Sequence, residues 1–106
     1  MFNAATFAKM KRGSIFINCA RGGIVVQDDL TAALKSGHIR RAGVDVTSPE
    51  PLPADHPWFS EDMRDKIVVL PHIGSATYPT RNLMCSIAVD NALAGLSDLP
   101  LRHSVC

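Results

Sequence analysis

The chain has 106 residues, 46% hydrophobic and 20% charged, with a formal net charge of +1, the size and balance of one globular domain with a modest core. A charge so near zero, with no basic run, argues against nucleic acid or an anionic membrane as the main partner. No apolar stretch is long enough for a bilayer and the N-terminus lacks the apolar core of a secretory signal, so a cytoplasmic setting is expected.

Cys19, Cys85 and Cys106 are odd in number and form no Cys-x-x-Cys pair, and His38, His56, His72 and His103 show no metal-ligand spacing. Three reduced thiols and no metal site are expected, with Cys19 and Cys85 buried as small hydrophobes.

In chain order, Met1 to Gly13 reads as a helix. Asn3 suits the N-cap, Phe2 and Phe7 stand at the two positions of a hydrophobic staple, Lys9, Lys11 and Arg12 fill the last turn, and Gly13 ends it. It reads as the crossover of a βαβ unit whose earlier strand is absent. Ile15-Phe16-Ile17 is a short apolar run of the kind expected of a parallel strand buried on both faces. Val26, Leu30, Ala33 and Leu34 then recur at helical spacing, with Asp28 and Asp29 in the first turn and Gly37 at the end. Ala42 to Val46 returns as the next strand, and the connection is long enough for a right-handed βαβ unit.

Thr47 to Pro57 carries Pro49, Pro51, Pro53 and Pro57, so a stiff irregular loop is expected around Glu50. Trp58 to Lys66 reads as a polar connection with an aromatic anchor and a short helical turn. Ile67 to Leu70 is a third strand that empties into Pro71-His72. Thr77 and Pro79 open a last helix with a buried side made of Leu83, Met84, Ile87, Ala88 and Ala92, closed by Gly95. Residues 97–106 show no periodicity and read as an irregular tail. The fold class is α/β, with about three parallel strands and flanking helices.

Arg21, Asp45 and His72 thus stand at the carboxyl ends of three parallel strands, where open α/β sheets bind ligands. Arg21 lies beside Gly22 and Gly23; a guanidinium there fits a carboxylate in two-pronged fashion, although a surface arginine on a turn explains it equally well. His72 could exchange a proton near neutral pH or could be a core histidine satisfied by backbone. Glu50 could be a solvated loop carboxylate or one set in place by its prolines to charge and orient that imidazole. Asp45 reads equally as a strand-end cap or as the acceptor for an amide-bearing cofactor. The chain has no Gly-x-Gly-x-x-Gly and no P-loop.

Three stretches carry a family resemblance: Phe16 to Gly22 (FINCARG), Ala42 to Pro53 (AGVDVTSPEPLP) and Leu70 to Thr77 (LPHIGSAT). Through them, from Phe2 to about Leu96, the chain resembles the D-isomer-specific 2-hydroxyacid dehydrogenases. Ser-Pro-Glu-Pro-Leu-Pro and Thr80-Arg81-Asn82 favour the glyoxylate reductase branch. The resemblance implies the C-terminal half of a Rossmann-type doubly wound parallel sheet: residues 1–96 would be the C-terminal part of an NAD(P)-binding domain plus the helix returning to the substrate domain. It implies hydride transfer from NADP or NAD in reduced form, NADPH being favoured, to a 2-oxo acid such as glyoxylate or hydroxypyruvate. Arg21, Glu50 and His72 would be catalytic, and Arg21, His72 and Ser75 would meet the substrate. Cys19, Ala20, Asp45 and Gly74 would line the nicotinamide end of the cofactor.

The connection between Trp58 and Lys66 is longer than the family leads one to expect, and the ending from Leu99 to Cys106 departs from its usual tail. The family's Gly-rich fingerprint would lie upstream of Met1. With that half missing, the first strand is expected to be an unprotected edge prone to pairing. A homodimer is expected of the full-length protein. The alternative is a truncated, inactive homologue acting at most as an interaction or dimerisation module.

Overall fold

The computed structural model describes residues 1 to 104; Cys106, expected to be a reduced thiol, lies outside the described residues. The chain divides into two compact units, Met1–Gly74 and the residues from Ser75 onward.

The first unit opens with α1, Ala4–Ala8. A reciprocal capping box starts it: the Asn3 side chain accepts the Thr6 N–H at 3.1 Å, and the Thr6 hydroxyl accepts the Asn3 N–H at 2.7 Å. Asp29 adds a second cap by accepting the Ala4 N–H at 2.8 Å. The helix stops at Ala8, well short of the expected Gly13. Gly13 takes a left-handed φ of +81° and donates its N–H to the His38 carbonyl at 2.7 Å, so the intervening residues are used to reach the sheet.

β1 (Ser14–Asn18), α2 (Gln27–Lys35), β2 (Ile39–Val44) and β3 (Ile67–Val69) follow, and the strands form one parallel sheet in the order β1-β2-β3. Asp28 and Asp29 lie in the first turn of α2, as the macrodipole favours, but Val26 precedes the helix as an exposed N-cap. Gly37, at φ +71°, turns the chain so tightly that β2 begins at Ile39, three residues before the expected start. It ends at Val44, leaving Asp45 just past the strand. Between β2 and β3 the connection has two short 3₁₀ turns, Pro57–Phe59 and Glu61–Met63. The Trp58 indole N–H donates to the Thr31 hydroxyl at 2.7 Å, pinning this connection to α2.

The core of this unit comprises Phe7, Phe16, Leu30, Leu34, Ile39, Val44, Trp58 and Met63. Phe2, Phe7 and Phe16 meet there in tilted and edge-to-face contacts with centroids 5.1 to 6.2 Å apart. β1 is not buried on both faces. Phe16 and Asn18 point inward, whereas Ile15 and Ile17 are 51% and 63% exposed. Cys19, one residue beyond the strand, is exposed rather than buried.

The second unit is built on α3, Tyr78–Leu96, whose Thr77 cap accepts the Thr80 N–H. None of its residues is buried: Leu83, Met84, Ala88 and Ala92 are exposed, Ile87 is half-buried, and Cys85 is exposed. An apolar stripe becomes a buried one only against a partner surface. The helix runs through Gly95, and the Asn91 side chain hydrogen-bonds both the N–H (2.8 Å) and the carbonyl (3.1 Å) of Arg102 in the irregular tail.

Candidate functional site

Three chain reversals beyond the carboxyl ends of the strands hold the candidate residues. Buried Asn18, the last residue of β1, organises the first. Its amide donates to the Arg21 carbonyl at 2.9 Å and its oxygen accepts the Ala20 N–H at 3.0 Å, which shapes the Cys19-Ala20-Arg21 turn. The exposed Arg21 guanidinium donates back to the Ala20 carbonyl at 2.7 Å through one of its five N–H groups. Gly22 is buried beneath it, where a Cβ would stand 2.0 Å from the Thr47 carbonyl oxygen, so no side chain fits.

The second reversal follows β2. Buried Asp45 accepts the Ile73 N–H at 2.8 Å on one oxygen and the Gly74 N–H at 2.7 Å on the other. The Ile73 N–H is the main cause holding its carboxyl below the usual range; burial opposes, and the Gly74 N–H and His72 assist. The sequence reads Asp45 as a strand-end cap or as the acceptor for an amide-bearing cofactor; its carboxylate instead clamps a distant loop and does not cap its own strand end.

That loop is the third reversal. His72 sits at φ +56°, a left-handed conformation uncommon for a residue with a side chain, and Asp45 grips the two N–H groups that follow it. The His72 Nδ1 lies 2.5 Å from Glu50 Oε1. Glu50 Oε2 accepts the Thr47 N–H at 3.3 Å. The His72 contact first, and the Thr47 N–H second, lower the Glu50 pKa, so an ionised carboxylate faces the imidazole. With Nδ1–H committed to Glu50, Nε2 is the nitrogen left to exchange a proton with a bound molecule.

A cleft of about 500 Å³ opens beside this pair, with Asp45, Thr47, Glu50, Leu52, Val69 and His72 on its walls. The structure thus joins Glu50 to His72 and Asp45 to the His72 loop. It leaves Arg21 folded on its own turn, outside the lining of that cleft. Sequence reasoning overlooked Asn18 and Thr47 as organising residues. A polar residue two positions after Phe16 on a strand, hence on the same inward face, was the signal for Asn18.

The sequence profile described as D-isomer specific 2-hydroxyacid dehydrogenase, NAD binding domain, matches residues 1–74. The chain belongs to this family. Among its relatives, the human glyoxylate reductase/hydroxypyruvate reductase is 54% identical over 99 residues, covering 93% of the chain and 29% of that protein. Glyoxylate/hydroxypyruvate reductase B of Citrobacter koseri is 52% identical, over 91% of the chain and 29% of its own length. The chain therefore spans less than a third of these relatives. The TT0316 protein of Thermus thermophilus superposes with a TM-score of 0.83 at 42% identity, over 98% of the chain and 32% of that structure. A D-isomer specific 2-hydroxyacid dehydrogenase from Xanthobacter autotrophicus, solved with NADPH and MES, gives 0.80 at 36% identity over 99% and 41%.

Two features of the backbone bear on how a dinucleotide would be held. The Cys19-Ala20 turn is exposed at a strand end, and a Cβ on Gly74 would stand 2.8 Å from Asp45 Oδ2, so only bare backbone passes there. A cradle for the phosphates of the Gly-x-Gly-x-x-Gly kind is not found in these 106 residues.

Proposed function

We propose that this chain supplies the catalytic, nicotinamide-facing part of an oxidoreductase that converts a 2-oxo acid such as glyoxylate or hydroxypyruvate to the D-2-hydroxy acid, with NADPH or NADH as reductant. The observation that carries the reading is the His72–Glu50 contact at the carboxyl end of β3. A bound reduced nicotinamide supplies the hydride. Arg21 holds the substrate carboxylate through its remaining N–H groups and polarises the adjacent carbonyl. His72 donates the Nε2 proton to the oxygen as negative charge develops on it, and Glu50 stabilises the charged imidazole before that transfer. By the family resemblance Ser75 would meet the substrate, and Cys19, Ala20, Asp45 and Gly74 would line the nicotinamide end. NADPH is favoured because a structural relative was solved with it. The whole enzyme is a homodimer.

The experiment is a chimera in which these 106 residues replace the matching segment of the human relative. NADPH-dependent reduction of glyoxylate or hydroxypyruvate is expected, with His72→Ala lowering kcat by about 10²- to 10⁴-fold and Arg21→Ala also raising KM. A folded chimera that binds NADPH but turns over neither acid sinks the proposal. Residues 1–106 alone should show no turnover, because positioning two reactants supplies much of the rate.

A second reading, an inactive module that associates through its sheet, is favoured by one observation. β1 is a terminal strand of the sheet, and Ile15, Ile17 and Val68 are exposed on one face.

A further inference from the structure

Glu50 is exposed and flanked by prolines, yet its carboxylate meets His72 squarely, and four contacts on the turn before it account for that. The Thr47 N–H donates to Glu50 Oε2. The Thr47 hydroxyl, buried, donates to the Pro49 carbonyl at 2.8 Å and closes the turn over residues 47 to 50. The next N–H, that of Ser48, donates at 2.8 Å to the side-chain oxygen of Gln27, the first residue of α2. The Thr47 carbonyl lies against the bare α-carbon of Gly22, one residue after Arg21.

We propose that Thr47 and Gln27 are positioning residues that fasten the turn over residues 47 to 50, hold the Glu50 carboxylate on His72, and tie it to the turn that carries Arg21. Two hydrogen bonds close the turn on itself, a third ties it to α2, and Gly22 lies against its first carbonyl, so Glu50 arrives with little freedom left to lose. Neither residue touches the imidazole. The catalytic meaning of this arrangement rests on the reductase reading above; the geometry does not.

The groups facing Glu50 are His72 and Asp45, so the titration of its carboxyl carbon, followed by NMR in the 106-residue chain, reports how well the turn is held. Thr47→Val removes only the hydroxyl. It should raise the Glu50 midpoint by about half a pH unit or more, while Thr47→Ser keeps the wild-type value. An unchanged midpoint in folded Thr47→Val overturns the proposal. If that variant does not fold, Gln27→Ala loosens the same turn from α2 and must also raise the midpoint; no rise there overturns it equally.

In the chimera, Thr47→Val should lower kcat several-fold at constant KM, with Thr47→Ser restoring it. A raised Glu50 midpoint alongside a wholly inactive chimera refutes the reductase reading and supports the positioning role. An active chimera whose Glu50 ignores both substitutions does the reverse.

Discussion

The two faces of the sheet are made by alternate residues of the same strands and behave as different surfaces. On one, Phe16, Ala42, Val44 and Ile67 pack under α1, α2 and the Trp58 connection, each less than a tenth exposed. On the other, Ile15, Ile17 and Val68 are more than half exposed although they are equally apolar. Residue type alone cannot tell the faces apart; what differs is whether an element of this chain lies across them. The candidate residues are organised from the covered face. Asn18 points into it and shapes the Arg21 turn, and the packed connection from Trp58 to Met63 leads into β3, which ends at Val69, three residues before His72.

This contrast can be tested by substitution. Leu30, fully buried in α2, should cost the most when truncated: Leu30→Ala is expected to destabilise the chain by about 2–5 kcal/mol in chemical denaturation, through lost burial and the cavity left behind. A loss near zero would mean that the covered face is not the core.

Asp45→Asn should come second. The amide cannot accept both the Ile73 and Gly74 N–H groups, so the melting temperature should fall by less than for Leu30→Ala, and the amide protons of Ile73 and Gly74 should lose exchange protection. The pH dependence has a definite sign. Asp45 and Glu50 have folded pKa values below their ordinary ones, so their stabilisation is present at neutral pH and lost as pH falls through the acid range below the usual carboxylate values. Asp45→Asn should flatten that acid limb, and a limb as steep as wild type would remove Asp45 from its cause.

Ile17→Thr should be the mildest, within about 0.5 kcal/mol of wild type, while reducing self-association on a sizing column. A cost comparable to that of Leu30→Ala would show that the open face is covered in solution.

Much of this was written in local pattern. The apolar runs, the acidic first turn of α2, the glycines that end helices and the proline-stiffened loop all act over a few residues, so three parallel strands, the βαβ unit and the placing of Arg21, Asp45 and His72 after strand ends could be read in advance. The same reasoning overextended α1, because the pull of Gly13 toward His38 is a contact over 25 residues that no helix propensity records. It also buried Ile15, Ile17, Cys19, Cys85 and the stripe on α3, because burial depends on the surface opposite and not on the side chain itself.

Of the site, residue types and strand ends were legible and the contacts were not. Glu50 reaching His72 across 22 residues, Asp45 clamping Ile73 and Gly74, and Thr47 pressing on Gly22 each join segments that meet only once the sheet has formed. A sequence determines which groups can donate, accept or ionise, because that is a property of each side chain. Only the folded chain decides which of them stand within 3 Å, because hydrogen bonds and pKa shifts depend on distance and on the water that packing removes.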